Sequence, residues 1–123
     1  MLLEIKKINE LEKKEFVLNL KKENPEITED ELNSRLKDVS NVYLNVMRNI
    51  KCVYKWDDIE DMVDYVDVLR KVEASDSECE LTDKECELIK KVCKKVAEGG
   101  LISGYGLELF VDFYKLFKLW KLT

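Results

Sequence analysis

The apolar residues of this chain recur mostly at steps of three and four, the spacing that gathers side chains on one face of an α-helix. The longest such series is Leu32, Leu36, Val39, Tyr43, Val46, Met47, Ile50, Val53 and Tyr54. A second runs through Ile59, Met62, Val63, Val66, Leu69 and Val72, and a third through Cys86, Ile89, Val92, Cys93 and Val96. Toward the C-terminus the pattern changes. From Gly104 to Lys121 the polar residues Glu108, Asp112, Lys115, Lys118 and Lys121 form one narrow stripe, and nearly everything else is large and apolar. A surface helix needs apolar residues on about a third of its circumference, so a helix apolar on most sides is packed among neighbours or between subunits. The pattern predicts a single all-α domain over residues 1–123, a compact bundle of about five helices around an apolar C-terminal helix.

Capping signals divide the series into elements. Asn9 with Glu12 three residues later opens a first helix from about Glu10 to Glu23, which Pro25 closes. Before it, Leu2 to Ile8 reads equally as a helical turn or a short strand. Thr28 and Glu31 form the next box, with Ile27 placed to staple onto Leu32. The helix that follows extends up to about 25 residues, with an open question of a break near Asp38–Ser40. Asn41, Asn45 and Asn49 line its other face, either as a solvated stripe or as a polar contact surface. Ile50, Cys52, Tyr54 and Trp56 also alternate as a strand would, but the unbroken helical phase before them favours helix. Asp57 with Glu60 opens a third helix, and Glu73 to Glu80, without periodicity, reads as an exposed acidic loop. Thr82 and Glu85 make the clearest box, with Leu81 and Cys86 as its staple. Gly99 and Gly100 supply the turn that ends this helix, and Ser103 or Gly104 caps the last one.

Charge sharpens this picture. The chain carries 21 basic and 26 acidic side chains, a net charge of −5, but they are segregated. Residues 1–55 are close to neutral at +1. Residues 56–87 hold 13 acidic against 3 basic side chains, a net −10, and residues 88–123 hold 7 basic against 3 acidic, a net +4. An acidic block of this kind attracts a basic partner and repels nucleic acid over its own surface. No stretch approaches the roughly 20 uninterrupted apolar residues of a membrane-spanning helix. The start, MLLEIKKI, lacks the basic-then-apolar order of a signal peptide, so a cytoplasmic protein is expected. Glutamine is absent and lysine far outnumbers arginine, a bias shared by hyperthermophile proteins and by low-GC genomes.

The candidate chemistry is sparse. The four cysteines, Cys52, Cys79, Cys86 and Cys93, form no C-x-x-C pair, and there is no histidine. Core packing of reduced thiols is therefore expected rather than a zinc site or a disulfide framework, and no cofactor is expected. Asp57-Asp58-Ile59-Glu60-Asp61 contains the D-D-x-x-D string that binds magnesium diphosphate in isoprenoid synthases, but that fold needs a longer chain and a second acidic motif. Glu60, Asp61, Asp64 and Asp67 resemble half of the magnesium site of a small all-α nucleotide pyrophosphatase. The other half falls to Glu26 and Glu29, beside a proline rather than inside a helix. A nucleic-acid reading rests on Lys90, Lys91, Lys94, Lys95, Lys115 and Lys118 as a phosphate-binding patch. Recognition through the last helix is disfavoured, because a reading helix must present polar side chains to the groove. The reading that fits best is a non-enzymatic protein–protein interaction module: an adaptor, an inhibitor or an assembly subunit that self-associates. Its expected contacts are Phe113, Phe117 and Trp120 on the last helix and the acidic face of Asp57, Glu60, Asp61 and Asp64, suited to a basic partner.

Overall fold

The capping signals at Asn9, Thr28 and Thr82 sit where helices begin, and the fold follows from how the helices share their apolar stripes. The structure, a computed structural model, describes residues 1–101 and 106–120. In order, these are strand β1 (Leu2–Glu4), helices α1 (Glu10–Glu23), α2 (Glu29–Ser40), α3 (Val42–Val53) and α4 (Ile59–Glu73), strand β2 (Glu78–Glu80), and helices α5 (Asp83–Glu98) and α6 (Gly106–Trp120). The protein is an all-α bundle with, among the described residues, one small antiparallel β-pair.

α3 packs against α2, α4, α5 and α6, and α6 packs against α3 and α5. The main core gathers Leu44, Met47 and Ile50 from α3, Tyr65, Val68, Leu69 and Val72 from α4, Ile89, Val92, Cys93 and Val96 from α5, and Phe110, Phe113 and Phe117 from α6. Polar groups inside it are satisfied: the buried Tyr65 hydroxyl donates to the Met47 carbonyl at 2.7 Å. Trp56 covers the same corner, its ring 4.4 Å from Tyr54 and 5.1 Å from Tyr65, while its Nε1 donates to the Lys51 carbonyl.

The long second helix expected from the sequence is two helices, so the described residues form six helices rather than about five. The break falls at Asn41, directly after the Asp38–Ser40 stretch near which the sequence leaves it an open question. Asn41 is extended at φ −90° and ψ 100°, and its side chain accepts from the Leu44 amide, capping α3. Apolar phase survives such a break, so periodicity alone does not reveal it. Tertiary contacts hold it open: Ile8 N–H donates to the Ser40 carbonyl at 3.0 Å and Val42 N–H to the Lys6 carbonyl at 2.8 Å. Asn41 is buried and Asn45 donates to the Val39 carbonyl, while Asn49 is exposed. The asparagine row is thus largely a device of the helix junction. α1 and α2 form a hairpin with its own apolar contacts, Leu20 and Leu32 buried, and neither contributes to the main core.

One open choice is decided and two other readings are corrected. Leu2–Glu4 is a strand, and its partner is Glu78–Glu80, inside the stretch read as an acidic loop. Cys79 and Leu3 face each other across the pair and are both buried, while the flanking glutamates stay outside. Three residues are too few to display an alternating period. The cap of α4 is Asp58, accepting from the amides of Glu60 and Asp61, rather than Asp57. Thr82 and Glu85 form the expected reciprocal box. α5 ends as its glycines predict: Gly100 has φ 63°, Leu101 N–H reaches the Val96 carbonyl and Gly100 N–H the Ala97 carbonyl, a Schellman closure. The caps proposed at Ser103 or Gly104 lie outside the described residues.

Candidate interaction surface

α6 shows how an apolar sequence divides between core and solvent. At 3.6 residues per turn, Phe110, Phe113 and Phe117 fall within about 60° of arc. That arc faces α3 and α5, with Phe113 5.6 Å from Tyr43 and 5.0 Å from Phe117 between ring centroids. Both Phe113 and Phe117 are fully buried, and Trp120 is half-buried against the same core. The two phenylalanines expected at a partner interface are therefore core residues: the bundle already covers them.

What remains in solvent is the opposite side of the helix. Leu107, Val111 and Leu119 are 47%, 38% and 53% exposed, interleaved with Glu108, Asp112, Lys115 and Lys118 over about 140° of arc. Leu109 lies at the edge of this surface and also lines a groove of about 310 Å³ with Phe110, Val42, Val46 and Ile8. The acidic residues of this face occupy the first half of the helix and the basic ones the second. Among the described residues none of these four charged side chains forms an ion pair or a side-chain hydrogen bond. Asp112 does act at a distance: Tyr43 is held above its ordinary pKa, chiefly by burial and then by the charges of Asp112 and Glu4. The sequence pattern contained this surface. Steps of three and four spread the four charged residues over about 120° of arc, so Val111 and Leu119 fall between them and Leu107 at their edge.

The acidic face expected on α4 is only partly one site. Asp57 and Glu60 are exposed at the helix entrance. Asp61 turns toward α5 and is neutralised by Lys91, Nζ to Oδ2 2.6 Å. That hydrogen bond, followed by the Asp61 charge itself, raises the Lys91 pKa. Asp64 and Asp67 line an α4–α5 groove of about 470 Å³ with Glu87, Lys84, Leu88 and the edge of Val68. Across the end of the groove Lys71 pairs with Glu85 at 3.0 Å. Burial opposes ionisation of Glu85, but hydrogen bonds from Thr82 and Lys71 outweigh it and hold the carboxyl below its ordinary range. Among the described residues no three Asp, Glu or Cys side chains converge as a metal site would require. Glu26 and Glu29, the other half of the imagined magnesium site, lie at the α1–α2 turn.

One of the six lysines is already paired with a carboxylate. Lys91 belongs to the acidic groove, Lys90 is half-buried, and Lys94 and Lys95 are exposed near the end of α5. Lys115 and Lys118 share their arc with Glu108, Asp112 and Leu119. Two further apolar groups stand in solvent: Ile59 and Val63 on α4, and Leu11 and Leu18 on the outer side of α1. The thiols of Cys79, Cys86 and Cys93 are buried and that of Cys52 is exposed, all four free. No helix of the described residues is long and apolar enough to cross a membrane. No protein-family model, curated protein or solved structure matches the chain.

Proposed function

We propose that the protein acts by binding another protein, as a non-enzymatic adaptor, inhibitor or assembly subunit that also self-associates, and that the outer face of α6 is its contact surface. The observation that supports this reading is the exposure of Leu107, Leu109, Val111 and Leu119 on one helix whose buried side already fills its share of the core. Side chains scattered singly in solvent are ordinary, whereas several on one helix face favour association. Completing the burial of four half-exposed Leu and Val side chains contributes about 1 kcal/mol each. That sum is small beside the roughly 4–15 kcal/mol lost in translational and rotational freedom on association. The contact is therefore weak unless the partner adds charge complementarity or a second patch. The acidic α4–α5 groove, with Asp64, Asp67 and Glu87 around Leu88, is a second contact suited to a basic segment of the partner.

The test is capture from the native host with the intact protein and with Leu107→Asp/Val111→Asp as bait. Both substituted positions are exposed, so the variant is expected to fold. A partner retained by the first bait and lost from the second supports the reading. Equal capture by both baits removes α6 from it, and no specific capture by either, with a monomer at all concentrations, removes the reading altogether.

A further inference from the structure

The order of charges along the outer face of α6 selects one occupant. Reading from the N-terminal end, that face presents Glu108 and Asp112 and then Lys115 and Lys118, with Leu107, Val111 and Leu119 between and beside them. A second copy of the same helix laid antiparallel across it brings the acidic half of each helix opposite the basic half of the other. Glu108 then faces Lys118 of the second copy and Asp112 faces its Lys115, each pair occurring twice about a two-fold axis near the middle of α6. The same arrangement sets Leu107 opposite Leu119 of the second copy at both ends of the contact and packs the methyls of Val111 against the aliphatic stem of Lys115 of the second copy. A parallel copy would instead set Glu108 on Glu108 and Lys118 on Lys118. The helix is thus self-complementary in one direction only, as a two-fold interface between identical surfaces requires.

We infer that a second copy of this chain binds the outer face of α6 in an antiparallel helix–helix dimer, aligned by the Glu108–Lys118 and Asp112–Lys115 pairs. This rests on the proposed protein-binding reading and specifies its partner and geometry. Antiparallel packing also sets the positive end of each helix dipole beside the negative end of the other. Size sets the strength. A 15-residue helix is roughly 22 Å long, and a contact one helix wide over that length lies at the small end of specific interfaces. The dimer is therefore weak, and it weakens further as salt screens its four ion pairs.

The test uses the whole chain in sedimentation equilibrium with charge reversals at exposed positions. Glu108→Lys alone places lysine opposite lysine, and Lys118→Glu alone places glutamate opposite glutamate. Each is expected to weaken dimerisation roughly five- to tenfold at low salt. The double variant Glu108→Lys/Lys118→Glu restores both pairs and is expected to recover the affinity of the original protein. An equimolar mixture of the two single variants is expected to associate more tightly than either alone, because every pair between unlike chains is then opposite in sign. Circular dichroism confirms that each variant retains its helix content. A dimer that forms equally well in all four proteins overturns the α6 geometry while leaving self-association through another surface intact. Single variants that weaken without rescue in the double variant or the mixture overturn the antiparallel pairing. A chain that stays monomeric at several hundred micromolar overturns the second copy as occupant, and capture of a different partner from the host decides the broader reading separately.

Discussion

Replacing Asn41 with alanine tests the feature that most shapes the path of the chain, the break between α2 and α3. The Asn41 side chain accepts from Leu44 N–H at 3.0 Å in a buried position, and the residue itself is 8% exposed. Loss of an ordinary helix cap costs about 1 kcal/mol, because water takes over the freed amide. Here water has little access, so the Leu44 amide is left close to unsatisfied, at a cost of about 1–3 kcal/mol. These are two views of the same missing bond, and together they give about 2 kcal/mol. The comparison is Asn9→Ala, which removes the exposed cap of α1, where Asn9 accepts from Glu12 N–H at 2.8 Å. That change is expected to cost about 0.5–1 kcal/mol. Urea unfolding followed by circular dichroism measures both, and 2 kcal/mol displaces the midpoint by about 1 M at an ordinary denaturant sensitivity. Asn41→Ser retains a capping oxygen and is expected to recover most of the loss. An Asn41→Ala variant no more damaged than Asn9→Ala, or a serine at position 41 no better than alanine, would show that the Leu44 amide does not depend on this cap.

Two further outcomes follow from the buried titratable groups. With Cys52 exposed and Cys79, Cys86 and Cys93 buried, a thiol reagent added to the native protein is expected to modify one cysteine rapidly. The other three react only as the protein unfolds, and four fast thiols would contradict the core assignment. Burial pushes the Cys93 thiol from an ordinary value of 9.0 up to about 12. Burial also raises the hydroxyl of Tyr65 and the thiol of Cys86. A folded pKa above the unfolded one stabilises the protein fully below the unfolded value, and the contribution is lost as pH climbs toward the folded value. Stability measured by denaturant titration is therefore expected to fall progressively above about pH 9, and Cys93→Ala/Cys86→Ala is expected to flatten the onset of that fall. A profile unchanged by the double substitution would place the alkaline sensitivity elsewhere.

The sequence was most legible where local chemistry decides structure. Thr82 and Glu85 sit close enough in the chain to satisfy each other whatever surrounds them, and they form the box their spacing predicts. Gly100 adopts the left-handed conformation that its place after α5 requires. Legibility ended where partners distant in the chain decide. Nothing near Cys79 announces a strand, because the edge it pairs with is Leu3, at the opposite end of the chain. Asn41 resembles its neighbours at Asn45 and Asn49, and only the backbone bonds from Ile8 to Ser40 and from Val42 to Lys6 turn it into a cap. Asp58 rather than Asp57 caps α4, a one-residue choice that spacing alone does not resolve. On α6 the pattern revealed an excess of apolar surface but not which side of the helix kept it. Phe113 and Phe117 lie on the arc that faces α3 and α5 and are buried there, while the larger Trp120 and Tyr114 beside them are half-buried. The smaller apolar residues beside the polar stripe were left in solvent. The acidic block divided in the same way, with Asp61 turned into an ion pair with Lys91 that the linear sequence does not foretell.

The central claim is that the solvent side of α6 is where the protein meets its partner, and side-chain methyl NMR tests it at the residues concerned. Spectra of leucine, valine and isoleucine methyls recorded from tens of micromolar to about 1 mM, the range set by a weak interface, report on every apolar patch at once. Concentration-dependent shifts centred on Leu107, Val111 and Leu119, with Ile59, Val63, Leu11 and Leu18 unchanged, are the predicted result. Shifts centred on α1 or α4 with the α6 methyls unmoved would contradict it.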